Sequence, residues 1–276
     1  MLAADVEPAA AAILRADWGD RRTWFEFATT QAECRPVVAE VDGVVVGTGV
    51  GTANGSVGWV GTIWVESAQR GRGLGRALTQ AVIDGLEAAG CRTLLLVATD
   101  EGLPLYERMG FAMQTRYRIL EAQGLEAGDL AGPPDDPTRV MRVYASADRD
   151  ALLALDRAAT GEDRGHIIRR FASPETTRVL DQAGDLRGFV IRAPWGGGAT
   201  VAQTPADAMR ILDGRRRTSG RSGRVRVGLV EENAAGLAAL EGAGLKPIWS
   251  APRLIRGESL DWRPDWIWGQ FNHALG

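Results

Sequence analysis

A chain of 276 residues is long for one domain and comfortable for two. Apolar residues make up 45% and charged ones 24%, and the net charge is -3, a soluble globular profile without the basic excess of a general nucleic-acid binder. Cys34 and Cys91 are too few for a disulfide framework, and with His166 and His273 they fit no metal-ligand spacing. No apolar run approaches the roughly 20 residues of a membrane span, and Asp5 and Glu7 stand where a secretory leader would be basic. The expectation is a protein of a reducing, cytoplasmic compartment, with no metal, no nucleic acid and no membrane among its partners.

The alanine-rich stretch 4–16 reads as a helix, and 21–31, with Trp24, Phe25 and Phe27, as a second amphipathic one. Residues 36–41 and 44–52 read as strands joined at Asp42-Gly43, a strong hairpin signal. A third strand at 57–65 leads to a glycine-rich loop, 69–75. A helix follows over 74–89, with Leu74, Leu78, Val82 and Leu86 at helical spacing and Gly90 at its end. Residues 93–98 form a continuous apolar strand, 103–109 a short helix and 111–120 a closing strand. Glycines and prolines then crowd 123–138, the composition of a linker between a domain at 1–122 and another at 139–276.

The second half repeats the themes of the first. A strand at 141–144 precedes helices at 147–160 and 165–172, strands near 177–181, 188–192 and 200–202, and a helix at 205–212. Leu105-Tyr106-Glu107-Arg108-Met109-Gly110-Phe111 is echoed by Ala239-Leu240-Glu241-Gly242-Ala243-Gly244-Leu245, each a short helix after a strand (93–98 and 225–230). The fold class expected is α/β, as a duplication.

Between the third strand and its helix stands Arg70-Gly71-Arg72-Gly73-Leu74-Gly75. Glycines let a backbone approach a ligand, and a helix start offers unpaired N–H groups and the positive end of its dipole. Together they make a cradle suited to a pyrophosphate, to which Arg70, Arg72 and Arg76 add positive charge. The alternative is a glycine-rich turn with no ligand. A P-loop is excluded by the absence of Gly-Lys-Ser or Gly-Lys-Thr, and a dinucleotide fingerprint by Arg76 where glycine is needed.

What remains, R-x-x-G-x-G followed by the tyrosine segment with one strand between, resembles the GNAT superfamily of acyl-CoA N-acyltransferases over 37–120. The resemblance implies two GNAT-like domains in tandem, each a mixed, mostly antiparallel sheet flanked by helices. It further implies that the N–H groups of 70–75 hold the pyrophosphate of acetyl-CoA or another acyl-CoA. The backbone at Ile63, Trp64 and Val65 would pair with the pantetheine arm where the strand splays from its neighbour. Tyr106 would protonate the departing thiolate. The expected activity is direct transfer of an acyl group, acetyl by expectation, to a primary amine of a small molecule or peptide; no convincing cysteine nucleophile is present. The alternatives are a non-catalytic CoA-binding sensor and a structural protein that binds no cofactor. A homodimer is compatible with the sequence.

The chain departs from the family in four places. The strand 57–65 carries no carboxylate to act as base, so Glu66, just beyond it, is the candidate, beside relay through water or no dedicated base. Thr99 replaces the family's asparagine seven residues before the tyrosine, and the usual first strand is missing. In the second half no R-x-x-G-x-G precedes the helix at Pro205 and Leu240 takes the tyrosine's place, so that half is expected to bind no CoA. Trp24, Phe25, Trp59 and Trp64 in the first half, and Trp249, Trp262, Trp266 and Trp268 in the second, are either pocket walls or plain core.

Overall fold

The computed structural model describes residues 1–16, 18–126, 129, 136–195 and 198–276. They form two compact units: Met1–Met113 with Leu254–Ser259 and Asn272–Gly276, and Gln114–Arg253 with Leu260–Phe271. The chain first passes from one unit to the other at Met113/Gln114. Residues 127, 128 and 130–135 of the expected linker lie outside the described residues.

The first unit opens with helices α1 (Val6–Arg15) and α2 (Arg22–Thr30), followed by strands β1 (Cys34–Val41), β2 (Val44–Asn54) and β3 (Val57–Val65). Asp42 and Gly43 take φ of 51° and 76°, the paired positive values of the turn that matches strand twist. Helix α3 (Leu74–Ala88), strand β4 (Thr93–Val97) and helix α4 (Leu103–Arg108) complete the order. The strands run β1-β2-β3-β4, with residues 254–257 beyond β4 and β1 at the edge. No described segment supplies a strand outside β1. Gly47, Gly49 and Gly51 of β2 face α3. A Cβ there would lie 2.8 Å from Leu78, 3.1 Å from Val82 and 3.0 Å from Leu86. The glycine stripe thus lets the apolar face of α3 lie close on the sheet, over a core that includes Val60, Leu94, Leu96 and Leu254.

The other face of β2 and β3 carries Asn54 and Gly61, and there the segment Asn272–Gly276 packs. Asn54 donates to the Leu275 carbonyl at 2.8 Å, and a Cβ on Gly61 would sit 2.3 Å from that of Ala274. His273 is half-buried in this segment, and desolvation, then the charge of Arg21, lower its pKa from 6.5 to about 4. Between those values the unfolded chain binds a proton that the native state rejects. Stability therefore rises with pH across this window and is lost as pH falls from 6.5 towards 4, by up to about 1.4 kcal/mol per pH unit. Urea midpoints near pH 7 and near pH 5 should lie closer together in His273→Gln than in the parent; an unchanged separation would refute this account.

The second unit carries β5 (Ala112–Gln123) from residue 114, then β6 (Arg139–Val143), α5 (Arg149–Thr160), α6 (Gly165–Phe171), β7 (Thr177–Gln182), β8 (Asp185–Arg192) and β9 (Gly198–Ala202). After them come α7 (Pro205–Ser219), β10 (Arg224–Val230), α8 (Ala234–Gly242), β11 (Lys246–Gly257) and β12 (Ile267–Gly269). Strands β12-β9-β8-β7-β6 form one antiparallel sheet. In the same unit β5 pairs antiparallel with β10 from Gln123 to Tyr117 and has β11 on its other side. Helix α7 runs seven residues past its expected end at 212: it passes through Gly214, carried by the good helix formers Arg215, Arg216 and Arg217, and ends at Gly220. Among the described residues no helix is long and apolar enough to cross a membrane.

Candidate active site

Strand β3 pairs with β4 in parallel only at Val57, Gly58 and Trp59. Beyond Trp59 the strands part, and the edge of β3 from 60 to 65 has no ladder partner on that side among the described residues. On its other side β3 stays paired with β2 up to Val65, through a bulge. The bulge holds Thr62 at φ 53°, a left-handed conformation unfavourable for a β-branched residue. Two side chains fix it. Thr48 donates to the Thr62 carbonyl at 2.8 Å, and the Trp24 indole donates to the Thr62 hydroxyl at 3.0 Å. The edge carrying Ile63, Trp64 and Val65 thus offers peptide groups to an extended ligand, while the Trp64 side chain is buried.

The cradle follows directly. A single 3₁₀ turn, Ser67–Gln69, leads to Arg70, and Gly71 and Gly73 take φ of 75° and 84°. Nothing lies within 4 Å of the place a Cβ would occupy on either glycine, so no other part of the described protein covers the loop at these two positions. Gly73 caps α3 without a side-chain hydrogen bond, and the first turn, starting at Leu74 and Gly75, holds no acid. Helix N–H groups with no side-chain cap and no competing carboxylate suit an anion. Arg70 is held aside, its Nε on the Val65 carbonyl at 3.2 Å and its Nη1 on Glu101 at 2.8 Å. Arg72 donates to Gln69, and Arg76 is exposed.

Tyr106, on α4, is 9% exposed and lies edge-on to Phe111. Burial pushes its hydroxyl up to about 12. No hydrogen bond to that hydroxyl is made among the described residues. Thr99, in place of the family's asparagine, does structural work: its hydroxyl accepts from the Gly102 N–H at 3.1 Å and its carbonyl from that of Leu103 at 3.0 Å, which starts α4. Glu66 is likewise engaged, accepting at 3.1 Å from the Ser67 N–H and at 3.3 Å from the Ser67 hydroxyl. Trp24, Phe25, Trp59 and Trp64 are all buried core, as is Trp268, while Trp249 is exposed.

The second unit builds a different junction between β9 and α7. The Thr204 hydroxyl accepts from the Asp207 N–H at 3.2 Å, and Pro205 has no N–H to offer. The Asp207 carboxylate is fully buried in the first turn and takes Arg139 at 2.9 Å. A capped helix start with a carboxylate in its first turn disfavours a second anion there. Leu240 is core.

Residues 5–111 match the family described as Acetyltransferase (GNAT) family, and 152–269 match a second, Acetyltransferase (GNAT) domain. The chain belongs to the GNAT acetyltransferases and carries two such domains in tandem. An uncharacterized N-acetyltransferase of Bacillus subtilis (strain 168), YitH, is 25% identical over 182 residues, 64% of this chain and 61% of that one. Glucosamine 6-phosphate N-acetyltransferase of Trypanosoma brucei brucei is 32% identical over 66 residues, 24% of this chain and 45% of that protein. The match thus spans about three-fifths of the first relative and under half of the second. Among solved structures, a candidate acetyltransferase from Pyrococcus horikoshii aligns with TM-score 0.82 and 20% identity, over 100% of this chain and 94% of that one. A tandem GNAT protein from the clavulanic acid biosynthesis pathway aligns with TM-score 0.60 and 16% identity, over 92% and 94%. These two likenesses concern the fold.

Sequence reasoning singled out the glycine loop and the tyrosine, and missed Thr62 and the segment Asn272–Gly276. A positive φ at a threonine has no sequence signature, and a five-residue return of the chain end leaves no periodicity. The nearest available signal was Gly61, one of two glycines in a strand otherwise of β-branched and aromatic residues, which marks close approach of another backbone.

Proposed function

We propose that the first unit transfers an acetyl group from acetyl-CoA to a primary amine by direct attack in a ternary complex. The observation that carries this reading is the parting of β3 from β4 after Trp59, immediately before an uncapped anion cradle. The N–H groups of Arg70, Gly71, Arg72, Gly73, Leu74 and Gly75 would hold the pyrophosphate, with Arg76 near enough to add charge. Peptide groups of Ile63, Trp64 and Val65 would orient the pantetheine arm and the thioester. Acetyl-CoA supplies the activated acyl group.

Tyr106 keeps its proton throughout the neutral range, since its pKa is about 12. Complete transfer to a thiolate of ordinary pKa, about 8.5, is therefore uphill. The hydroxyl works instead as a donor to the sulfur while charge builds there, and is free to do so because it has no partner among the described residues. Glu66 remains the carboxylate nearest the strand end and the residue to test as base; Glu66→Gln separates that role from its capping of Ser67. The acceptor is a small-molecule or peptide amine.

Calorimetric titration with acetyl-CoA is expected to give one site per chain, weakened in Gly73→Val, where a branched side chain would need a strained positive φ and so would reshape the loop. Two sites would mean that the second unit binds as well, against the plugged start of α7. No binding would sink the enzyme reading.

A further inference from the structure

Strand β3 changes the side its residues face at one point. Val60 packs in the core beneath α3, and Gly61 faces Ala274, where a Cβ on the glycine would lie 2.3 Å from that of the alanine. Regular alternation would return Thr62 to the core with Val60 and send Ile63 the other way. The reverse is found. Ile63 packs on that core, its Cδ1 2.9 Å from where a Cβ on Gly49 would stand. Thr62 is turned instead to Trp24 of α2. The bulge supplies the extra residue: Thr62 and Ile63 together stand opposite Gly49 alone, between the pairs Val50–Gly61 and Thr48–Trp64. Bulges that re-aim one side chain are concentrated beside active sites.

The turned residue is held under strain. A β-branched side chain at φ 53° is unfavourable, and such a conformation persists only where its surroundings fix it. Thr48 donates to the Thr62 carbonyl at 2.8 Å, and Trp24 donates to its hydroxyl at 3.0 Å. The indole takes one lone pair of that hydroxyl and thereby sets its direction. The second lone pair and the hydroxyl proton engage no group among the described residues, and the side chain is half-buried, not sealed. Of the nine residues of β3, Thr62 carries the only hydroxyl, and it stands on the length of strand that has left β4.

We propose that the Thr62 hydroxyl is a further catalytic residue of acyl transfer, the group that holds the attacking amine. The inference rests on the acyl-transfer reading above and adds a residue to it. Peptide groups of the same edge serve the pantetheine, and Tyr106, in the core beneath α3, serves the departing sulfur. Thr62 is turned out of that core and is left for the entering nitrogen. Its second lone pair accepts an N–H of the neutral amine and orients the nitrogen towards the thioester carbon. As the N–C bond forms, the nitrogen loses a proton to Thr62 Oγ1 while the hydroxyl passes its own proton to water. The C–S bond then breaks, and its electron pair leaves with the thiolate. A hydroxyl that exchanges one proton for another works without a carboxylate on β3, which has none. Trp24 is a positioning residue that acts through Thr62.

The test compares Thr62→Val, Thr62→Ser and Trp24→Phe with the parent protein. CoA release is followed with the best-used amine of a panel of amino sugars, amino acids and aralkylamines, and acetyl-CoA binding by calorimetry. Valine keeps the size and branching of threonine, so only the hydroxyl is lost. Thr62→Val should lower kcat/KM for the amine by about tenfold to a hundredfold, with the Kd of acetyl-CoA within a factor of about two. Thr62→Ser should retain most of the parent's value. Trp24→Phe should lower kcat/KM by itself but add little to Thr62→Val, a non-additivity that a packing role alone does not produce. An unchanged kcat/KM in Thr62→Val, or a serine variant as poor as the valine one, overturns the proposal and leaves the acyl-transfer reading standing. So does a loss in Thr62→Val that lies in acetyl-CoA affinity, which would make the bulge a structural support. A parent protein that binds no acetyl-CoA, or acetylates no amine of the panel, ends the acyl-transfer reading and this inference with it.

Discussion

Tyr106→Phe is expected to lower kcat by about a hundredfold to a thousandfold while leaving the affinity for acetyl-CoA within a factor of about two. The ring is core, in edge contact with Phe111, and phenylalanine keeps that packing. Only the hydroxyl is lost, and a single preorganised donor aimed at developing charge is worth about 2.7–4 kcal/mol. The pH profile adds a second constraint. A tyrosine of ordinary pKa, 10.0, would begin to lose its proton near the top of the usual assay range, but burial moves this one to about 12. The kcat profile of the parent protein should therefore show no fall assignable to Tyr106 between pH 8 and pH 10. Steady-state kinetics of the two proteins, with acetyl-CoA binding measured calorimetrically, decide the matter. A fully active Phe variant would remove Tyr106 from the mechanism, and a loss confined to acetyl-CoA affinity would make it a packing residue.

Much of the first unit was legible in the sequence because its signals are local. The β-branched and aromatic residues of 57–65 and the spacing of Leu74, Leu78, Val82 and Leu86 set strand and helix within a residue of where they stand. The cradle was legible for a sharper reason. Gly71 and Gly73 are needed at φ of 75° and 84°, and a requirement of that kind is written in residue type. What was not legible depends on distant parts of the chain. That Asn272–Gly276 lies on β3 follows from a contact between Gly61 and Ala274, which no window of sequence contains. The 112–123 strand was read as ending at 120, because its last turns of alternation are weak until β10 pairs with them as far as Gln123. Long-range pairing also explains why β11 was largely missed: its first four residues are exposed, and its burial begins only at Ala251.

Glu66 and Thr99 show a second kind of limit. The resemblance made Glu66 a candidate base and Thr99 a departure from the family's asparagine, whereas the structure engages each in a local cap, Glu66 on Ser67 and Thr99 on Gly102. A polar side chain beside a helix start can serve the backbone or a ligand, and sequence does not separate the two.

In the second unit the largest effect should come from Asp156→Ala, with an expected loss of about 3–5 kcal/mol in stability. Asp156 and Arg164 are 1% and 2% exposed, and the guanidinium meets the carboxylate with two nitrogens, Nε at 3.0 Å and Nη2 at closer range. The Arg164 guanidinium also lies over the Phe271 ring, 5.3 Å from its centroid. Burial by itself would lower the pKa of Arg164, and Asp156 is the leading cause that reverses this and raises it. Removing the carboxylate takes away the largest opposition to that desolvation and leaves the weaker charge of Glu162, so the cation must be hydrated by local opening or held at great cost. The cost thus arises from the partner left behind, and a paired substitution tests that directly. Asp156→Leu combined with Arg164→Met should recover most of the stability that either loses alone, because it removes both desolvation penalties and keeps the volume filled. Chemical denaturation of the two single variants and the double variant closes the cycle. A double variant as unstable as the sum of the singles would show that the pair itself, and not the stranded charge, supports α5 and α6.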